Sequence, residues 1–264
     1  MNLLHQNTKL KVDKPVFYPE SDGKPMADNT KQFQWIVIIK KNLDIIFHKR
    51  KDVFVAGDLL WYPQEGSNKI CTAPDVLVVF GVPKGHRGSY KQWEEPNNTP
   101  PQVVFEILSP SNTDKEMKKK RKFYEKYGVV EYYLYDPDDN ILKGWQRIQG
   151  RLKKIEGIHH WKSPLLGIQF ILKKDDLEIY DPNGKLFTSQ EEDRERSLQE
   201  QIRADKEQQR ANKEQIRANK EQIRADKEQL RANKEQIRAD KIAQENAIFV
   251  KKLKALGINP SDLL

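Results

Sequence analysis

Residues 100–111 read PPQVVFEILSPS. Two prolines open the stretch, Ser-Pro-Ser closes it, and the apolar run Val103, Val104, Phe105, Ile107, Leu108 is interrupted once, by Glu106. A short apolar run between breakers is a strand. Alternation puts Val104, Glu106 and Leu108 on one face and Val103, Phe105 and Ile107 on the other, so both faces are apolar and both are covered. APDVLVVFG, residues 73–81, repeats the pattern, with Asp75, Leu77 and Val79 sharing a face. Each strand thus carries one acid into a core. An unpaired buried carboxylate costs several kcal/mol, so each acid needs a basic side chain, a shared proton or a metal. Two such acids facing the same side repel unless a cation lies between them.

Outward from these strands the chain alternates helices and strands. Residues 15–30 are turn-rich, and Trp35, Ile39, Leu43 and Ile46 recur at helical spacing between Lys31 and about Lys49. DVFVAGDLLWYP (52–63) reads as one strand, residues 82–99 as a polar loop, and residues 114–127 as a helix ended by Gly128. VEYYLYDPDDNILKGWQ (130–146) reads as two strands around a turn, and LEIYDPNGKLF (177–187) as a second hairpin. Doubly covered strands interleaved with helices define an α/β class with a mixed central sheet flanked by helices. On the 114–127 helix, Met117, Phe123, Tyr124 and Tyr127 form an apolar stripe with Lys120 near its middle, while Lys115, Lys118, Lys119, Lys122 and Lys126 project to the far side. Lys120 therefore faces the sheet, where Glu106 and Asp75 are its candidate partners. An internal salt bridge and a site of chemistry both remain open at this point.

The 264 residues and 31.0 kDa accommodate one sizeable domain and an appendage. The aromatic and β-branched residues lie almost entirely before about residue 190, although the whole chain is 33% charged with a mean hydropathy of −0.85. The net charge of +8 favours polyanionic partners. Cys71 is the single cysteine, which excludes an intrachain disulfide and a thiolate metal cluster and fits a reducing compartment. No run approaches about 18 apolar residues, so a cytoplasmic protein with no membrane partner is expected. From Ser189 a seven-residue repeat takes over, with Ile202, Gln209, Ile216, Ile223, Leu230 and Ile237 in register and Asp or Asn three residues after each. A robust coiled coil wants a second apolar residue there, so weak self-association and a solvated helix with Glu-to-Arg i,i+3 pairs are both compatible with it. The expected divisions are residues 1–188, a heptad-repeat helix over 189–245, and a short terminal helix and tail over 246–264.

The order Pro-Asp, Glu-x-Leu-Ser-Pro, Lys-x-x-x-Tyr, Gly-Val-x-Glu-Tyr, Asp-Pro across residues 15–187 resembles the Uma-two family, widespread in cyanobacteria and assigned to the PD-(D/E)XK restriction-endonuclease-like fold; ALGINP (255–260) also resembles a frequent ending in that family. The resemblance implies a restriction-endonuclease-like α/β domain that hydrolyses DNA phosphodiester bonds with Mg²⁺ or Mn²⁺. It assigns Asp75 and Glu106, with the Ile107 carbonyl, to the metal. The usual Glu-x-Lys would place a lysine at 108, where Leu108 stands. Sequences of this family share that departure and carry the lysine on the next helix, which is Lys120 here. A further acid near the N-terminus often completes such sites, and Glu20 is the candidate. Seven basic residues against two acidic ones between Lys115 and Lys126 leave Lys115, Lys118, Lys119, Arg121 and Lys122 as candidate DNA contacts. A homodimer through the domain or through the heptad helix is a further expectation. The rivals are a non-catalytic DNA-binding module and a scaffold that works through its helical tail.

Overall fold

The computed structural model describes residues 16–23 and 25–257. Helix α1 (Thr30–Ile46) begins where the Asn29 side chain accepts a hydrogen bond from the Gln32 amide, 2.8 Å, satisfying one of the helix's orphan donors. Its buried stripe is Ile36, Ile39 and Leu43. Strand β1 (Val53–Gly57) follows, then the two-residue β2 (Trp61–Tyr62), β3 (Val76–Phe80), the two-residue β4 (Tyr90–Lys91) and β5 (Val103–Ile107). Helix α2 (Asp114–Lys126) crosses to β6 (Glu131–Asp136), and β7 (Ile141–Ile148), β8 (Arg151–Lys154), β9 (Gln169–Leu172) and β10 (Leu177–Tyr180) complete the strands. A six-stranded sheet runs in the order β1-β3-β5-β6-β7-β8. Among its described strands, this sheet pairs in parallel only between β5 and β6, a pairing that needs the α2 crossover.

The sheet is a mixed one covered on both faces. Val76, Val78, Val103, Phe105 and Ile107 pack with α1, and Leu77, Val79 and Val104 pack with Met117 and Tyr124 of α2. The alternation in β3 and β5 therefore sends Asp75 and Glu106 to the α2 side. Tyr127 closes α2, and Gly128 follows at φ +100, a left-handed conformation open to glycine at no steric cost.

Three elements differ from expectation. The run 52–63 is not one strand: Asp58 takes φ +46, and β2 leaves the main sheet to pair in parallel with β4. The loop 82–99 is tied down at Arg87, which pairs with Glu95 at 2.6 Å and stacks on Phe54. The turn at 181–184 forms, with Asp181 N–H donating to the Lys185 carbonyl, but beyond it only the bridge Tyr180↔Leu186 remains. β10 keeps that bridge, with the Phe187 amide donating to the Ile179 carbonyl at 2.7 Å, and also pairs with the preceding β9, whose Phe170 is buried against the α1-side core.

The chain divides into two units, residues 1–193 and 194–264. At the end of the first, Asp193 accepts from Thr188 Oγ1 (2.8 Å) and pairs with Lys41. Helix α3 (Gln190–Ala255) is unbroken, so residues 246–255 continue the heptad helix instead of forming a separate one, and Gly257 follows at φ +75. None of its residues is buried. Among the described residues no Glu–Arg ion pair forms along it. Gln208, Gln215, Gln222 and Gln236 instead donate to the Asn or Asp four residues on, at 2.8–3.2 Å. Among the described residues no helix is long and apolar enough to cross a membrane.

Candidate active site

The pairing of β3 with β5 sets Val76 opposite Phe105; one residue further, Asp75 stands opposite Glu106. The Ile107 amide donates to Asp75 Oδ2 at 2.6 Å, and the two acids are 8% and 2% exposed. Thr113 caps α2 by accepting from the Glu116 amide, which fixes the rotation of the helix over this face. Lys120 Nζ then lies 2.8 Å from Glu106 Oε2 and 3.5 Å from the Ala73 carbonyl. One turn on, the Tyr124 hydroxyl donates to Glu106 Oε1. The i,i+4 spacing of Lys120 and Tyr124 puts both on one helix face, and they hold the two oxygens of a single carboxylate.

The electrostatics follow from that crowding. Burial, then the neighbouring Glu106, pushes the Asp75 carboxyl well above the usual carboxylate range. For Lys120, burial works to lower the pKa, but Glu106 and Asp75 outweigh it and hold the ammonium above its ordinary value. Burial and Glu106 push the Tyr124 phenol well up, so it remains a proton donor.

Asp75 and Lys120 line a cavity of about 650 Å³, together with Asp22, Asp28, Asp58 and Glu116; Glu106 and Tyr124 lie behind them, outside its lining. Asp58 enters it from the end of β1. Its amide donates to the Asp75 carbonyl at 3.2 Å, and continuation of the β1–β3 register beyond Gly57↔Val76 sets it opposite Asp75. Asp58, Asp75 and Glu106 thus form a row across three adjacent strands. Burial and then Asp22 push the Asp58 carboxyl up to about 6, with Lys120 opposing. On another wall, Ser109 Oγ donates to Asp28 Oδ2 at 2.6 Å, Ser111 Oγ donates to the same oxygen, and the Ser109 amide donates to Asn112 Oδ1. The Ser-Pro-Ser segment after β5 therefore latches the loop before α1.

The structure brings Asp75, Glu106 and Lys120 together. It does not bring Glu20 to them: that side chain is exposed and lies where a Cβ on Gly88 would collide with it, while Asp22 of the same loop lines the cavity. The Ile107 carbonyl already accepts from Gln32 Nε2 at 2.8 Å. Lys115, Lys118, Lys119 and Lys122 are exposed on α2, with Lys119 at the cavity, whereas Arg121 is half-buried with its guanidinium over the Trp145 ring. Trp61 and Trp145 are core residues, and Trp93 packs on Tyr18. The sequence reading missed Asp58, Gln32 and the bond from Tyr124 to Glu106; the last had a signal in the Lys-x-x-x-Tyr spacing.

The family model Uma2, described as "Putative restriction endonuclease", matches residues 25–170, more than half of the chain, and the chain belongs to this family. Among solved structures, a protein described as a putative nuclease belonging to DUF820 from Anabaena variabilis ATCC 29413 is similar at 18% identity, over 55% of this chain and 77% of that chain, with a TM-score of 0.42. No curated protein matches the chain.

Proposed function

We propose that the protein is a metal-dependent endonuclease that hydrolyses DNA phosphodiester bonds, with Asp75, Glu106 and Lys120 as its working groups. The observation that carries this reading is the Lys120–Glu106 contact of 2.8 Å on the face where Asp75 stands opposite Glu106. Among the described residues no three His, Cys, Asp or Glu side chains converge on a metal-sized gap. The donor set nevertheless suits Mg²⁺ or Mn²⁺: magnesium sites typically use one or two carboxylates and leave the remaining positions to water and substrate phosphate. Asp75 and Glu106 would hold the ion; the Ile107 carbonyl, the backbone ligand that the family resemblance adds, already accepts from Gln32 Nε2 at 2.8 Å. The ion would supply Lewis acidity toward a phosphate oxygen and a bound water.

The rest falls to the chain itself. The Ile107 amide orients Asp75 and the Tyr124 hydroxyl orients Glu106. Lys120 keeps its proton beside the two acids. It donates to the attacking water or to a phosphate oxygen and offsets the charge that develops there. The exposed lysines 115, 118, 119 and 122 supply sequence-independent affinity for the DNA backbone.

One observation favours a rival, non-catalytic DNA-binding reading: both oxygens of Glu106 are already occupied, by Lys120 and Tyr124. Nicking of supercoiled plasmid separates the two. The catalytic reading expects nicking in Mg²⁺ or Mn²⁺ that Asp75→Ala and Glu106→Ala abolish. Salt-sensitive DNA binding with intact plasmid in every metal supports the rival.

A further inference from the structure

We infer that helix α3 is one strand of a parallel, in-register coiled coil formed with a second copy of the same chain. This is independent of the nuclease reading. Ile202, Ile216, Ile223, Leu230 and Ile237 are all exposed, as is Leu198, and together they form an exposed apolar stripe along the helix. From Ile202 the stripe holds a seven-residue period, interrupted once by Gln209. On a straight helix such a period drifts by about 20° per heptad and would wander around the surface; only supercoiling about a partner keeps it on one side.

The register names the occupant. With the isoleucines at a, Leu198 falls at d, and so do Asp205, Asn212, Asn219, Asp226, Asn233 and Asp240; the e positions are Lys206, Lys213, Lys220, Lys227, Lys234 and Lys241. Antiparallel pairing would set the lysine row against its own copy and place each isoleucine opposite an Asp or Asn. Parallel pairing stacks isoleucine on isoleucine, β-branched residues at a favouring two strands, and flanks every Asp with lysines from both helices. The polar d layer is also partly prepared for burial. Gln215 donates to Asn219, Gln222 to Asp226 and Gln236 to Asp240, at 3.2, 2.8 and 2.9 Å, within a single helix. Those d side chains therefore need no donor from the partner. The three aspartates, each facing its own copy, keep the association weak.

Sedimentation equilibrium of the full chain over a range of concentrations tests this. The expected result is a reversible monomer–dimer equilibrium that Ile216→Lys with Ile223→Lys abolishes. The combined Asp205→Asn, Asp226→Asn and Asp240→Asn variant should tighten it by at least about tenfold, since like charges leave the d layer; this gain does not depend on a damaged fold. In a Cys71→Ser background, Ile216→Cys and Ile237→Cys, tested singly, should each cross-link to their own copy under oxidation. Antiparallel pairing can align only one of those two positions with itself. A chain that stays monomeric at every concentration, a dimer indifferent to the lysine substitutions, association unchanged or weakened in the asparagine variant, or cross-linking at only one of the two cysteines would overturn the inference.

Discussion

Glu106 combines near-complete burial with two donors on its own face, Lys120 from one turn of α2 and Tyr124 from the next. Removing the phenol leaves one oxygen of a buried carboxylate without its donor. Tyr124→Phe is therefore expected to lower stability by about 1–3 kcal/mol in urea unfolding and to slow cleavage while leaving DNA affinity unchanged. Asp75 is the opposite case. Its raised pKa means that ionisation is disfavoured in the folded chain, so the charge subtracts from stability above the folded pKa. Asp75→Asn removes that penalty and keeps an oxygen for the Ile107 amide. The variant should be more stable than the wild type at pH 8, and catalytically dead. As pH falls through the folded value the wild type protonates and the difference shrinks, vanishing below about pH 4, the ordinary carboxyl range. Thermal unfolding of both proteins between pH 8 and 5 checks the sign. Glu106 and Lys120 can be read from sequence because alternation along a strand and a 3.6-residue period on a helix are local rules. Asp58 cannot, because its place depends on the register between β1 and β3 and on a left-handed backbone at its own position.

The β5–α2–β6 crossover carries most of the chemistry and was the most legible part of the fold. Its apolar runs, its breakers and its glycine stop all point the same way. What sequence did not reveal are long-range pairings: β10 with β9 in addition to its bridge to Leu186, and β2 with β4 instead of an extension of β1. Both turn on long-range burial, to which local turn chemistry is blind. Helix α2 divides its charges cleanly, with Lys120 inward and Lys115, Lys118, Lys119 and Lys122 exposed. Replacing those four by glutamine should weaken DNA binding across unrelated sequences and reduce the slope of log affinity against log salt by about 1 for each phosphate no longer neutralised. Fluorescence anisotropy with two unrelated duplexes at several salt concentrations reads both effects. Arg121, over Trp145, should contribute packing instead, so Arg121→Gln should leave that slope unaltered.

The two units of the chain are built on different principles. Residues 16–193 bury two apolar layers around a sheet; residues 194–255 bury nothing of their own. A chain truncated after residue 200 keeps the ties of Lys41 to Asp193 and of Asn42 to the Thr188 carbonyl. It should therefore match the melting temperature of the full protein within about 2 °C, by differential scanning calorimetry at low protein concentration. The repeat was visible in sequence at once, since periodicity needs no tertiary context, whereas the i,i+4 bonds from Gln to Asn or Asp depend on rotamers that it does not specify. What joins residue chemistry to the behaviour of the whole protein is the claim that Asp75 and Glu106 are a place for a divalent cation. Electron paramagnetic resonance of free Mn²⁺, titrated against the full chain without DNA, tests it without relying on turnover. A saturable site that disappears in Asp75→Asn and in Glu106→Gln is the expected result; failure to bind Mn²⁺, or binding that survives both substitutions, would contradict it.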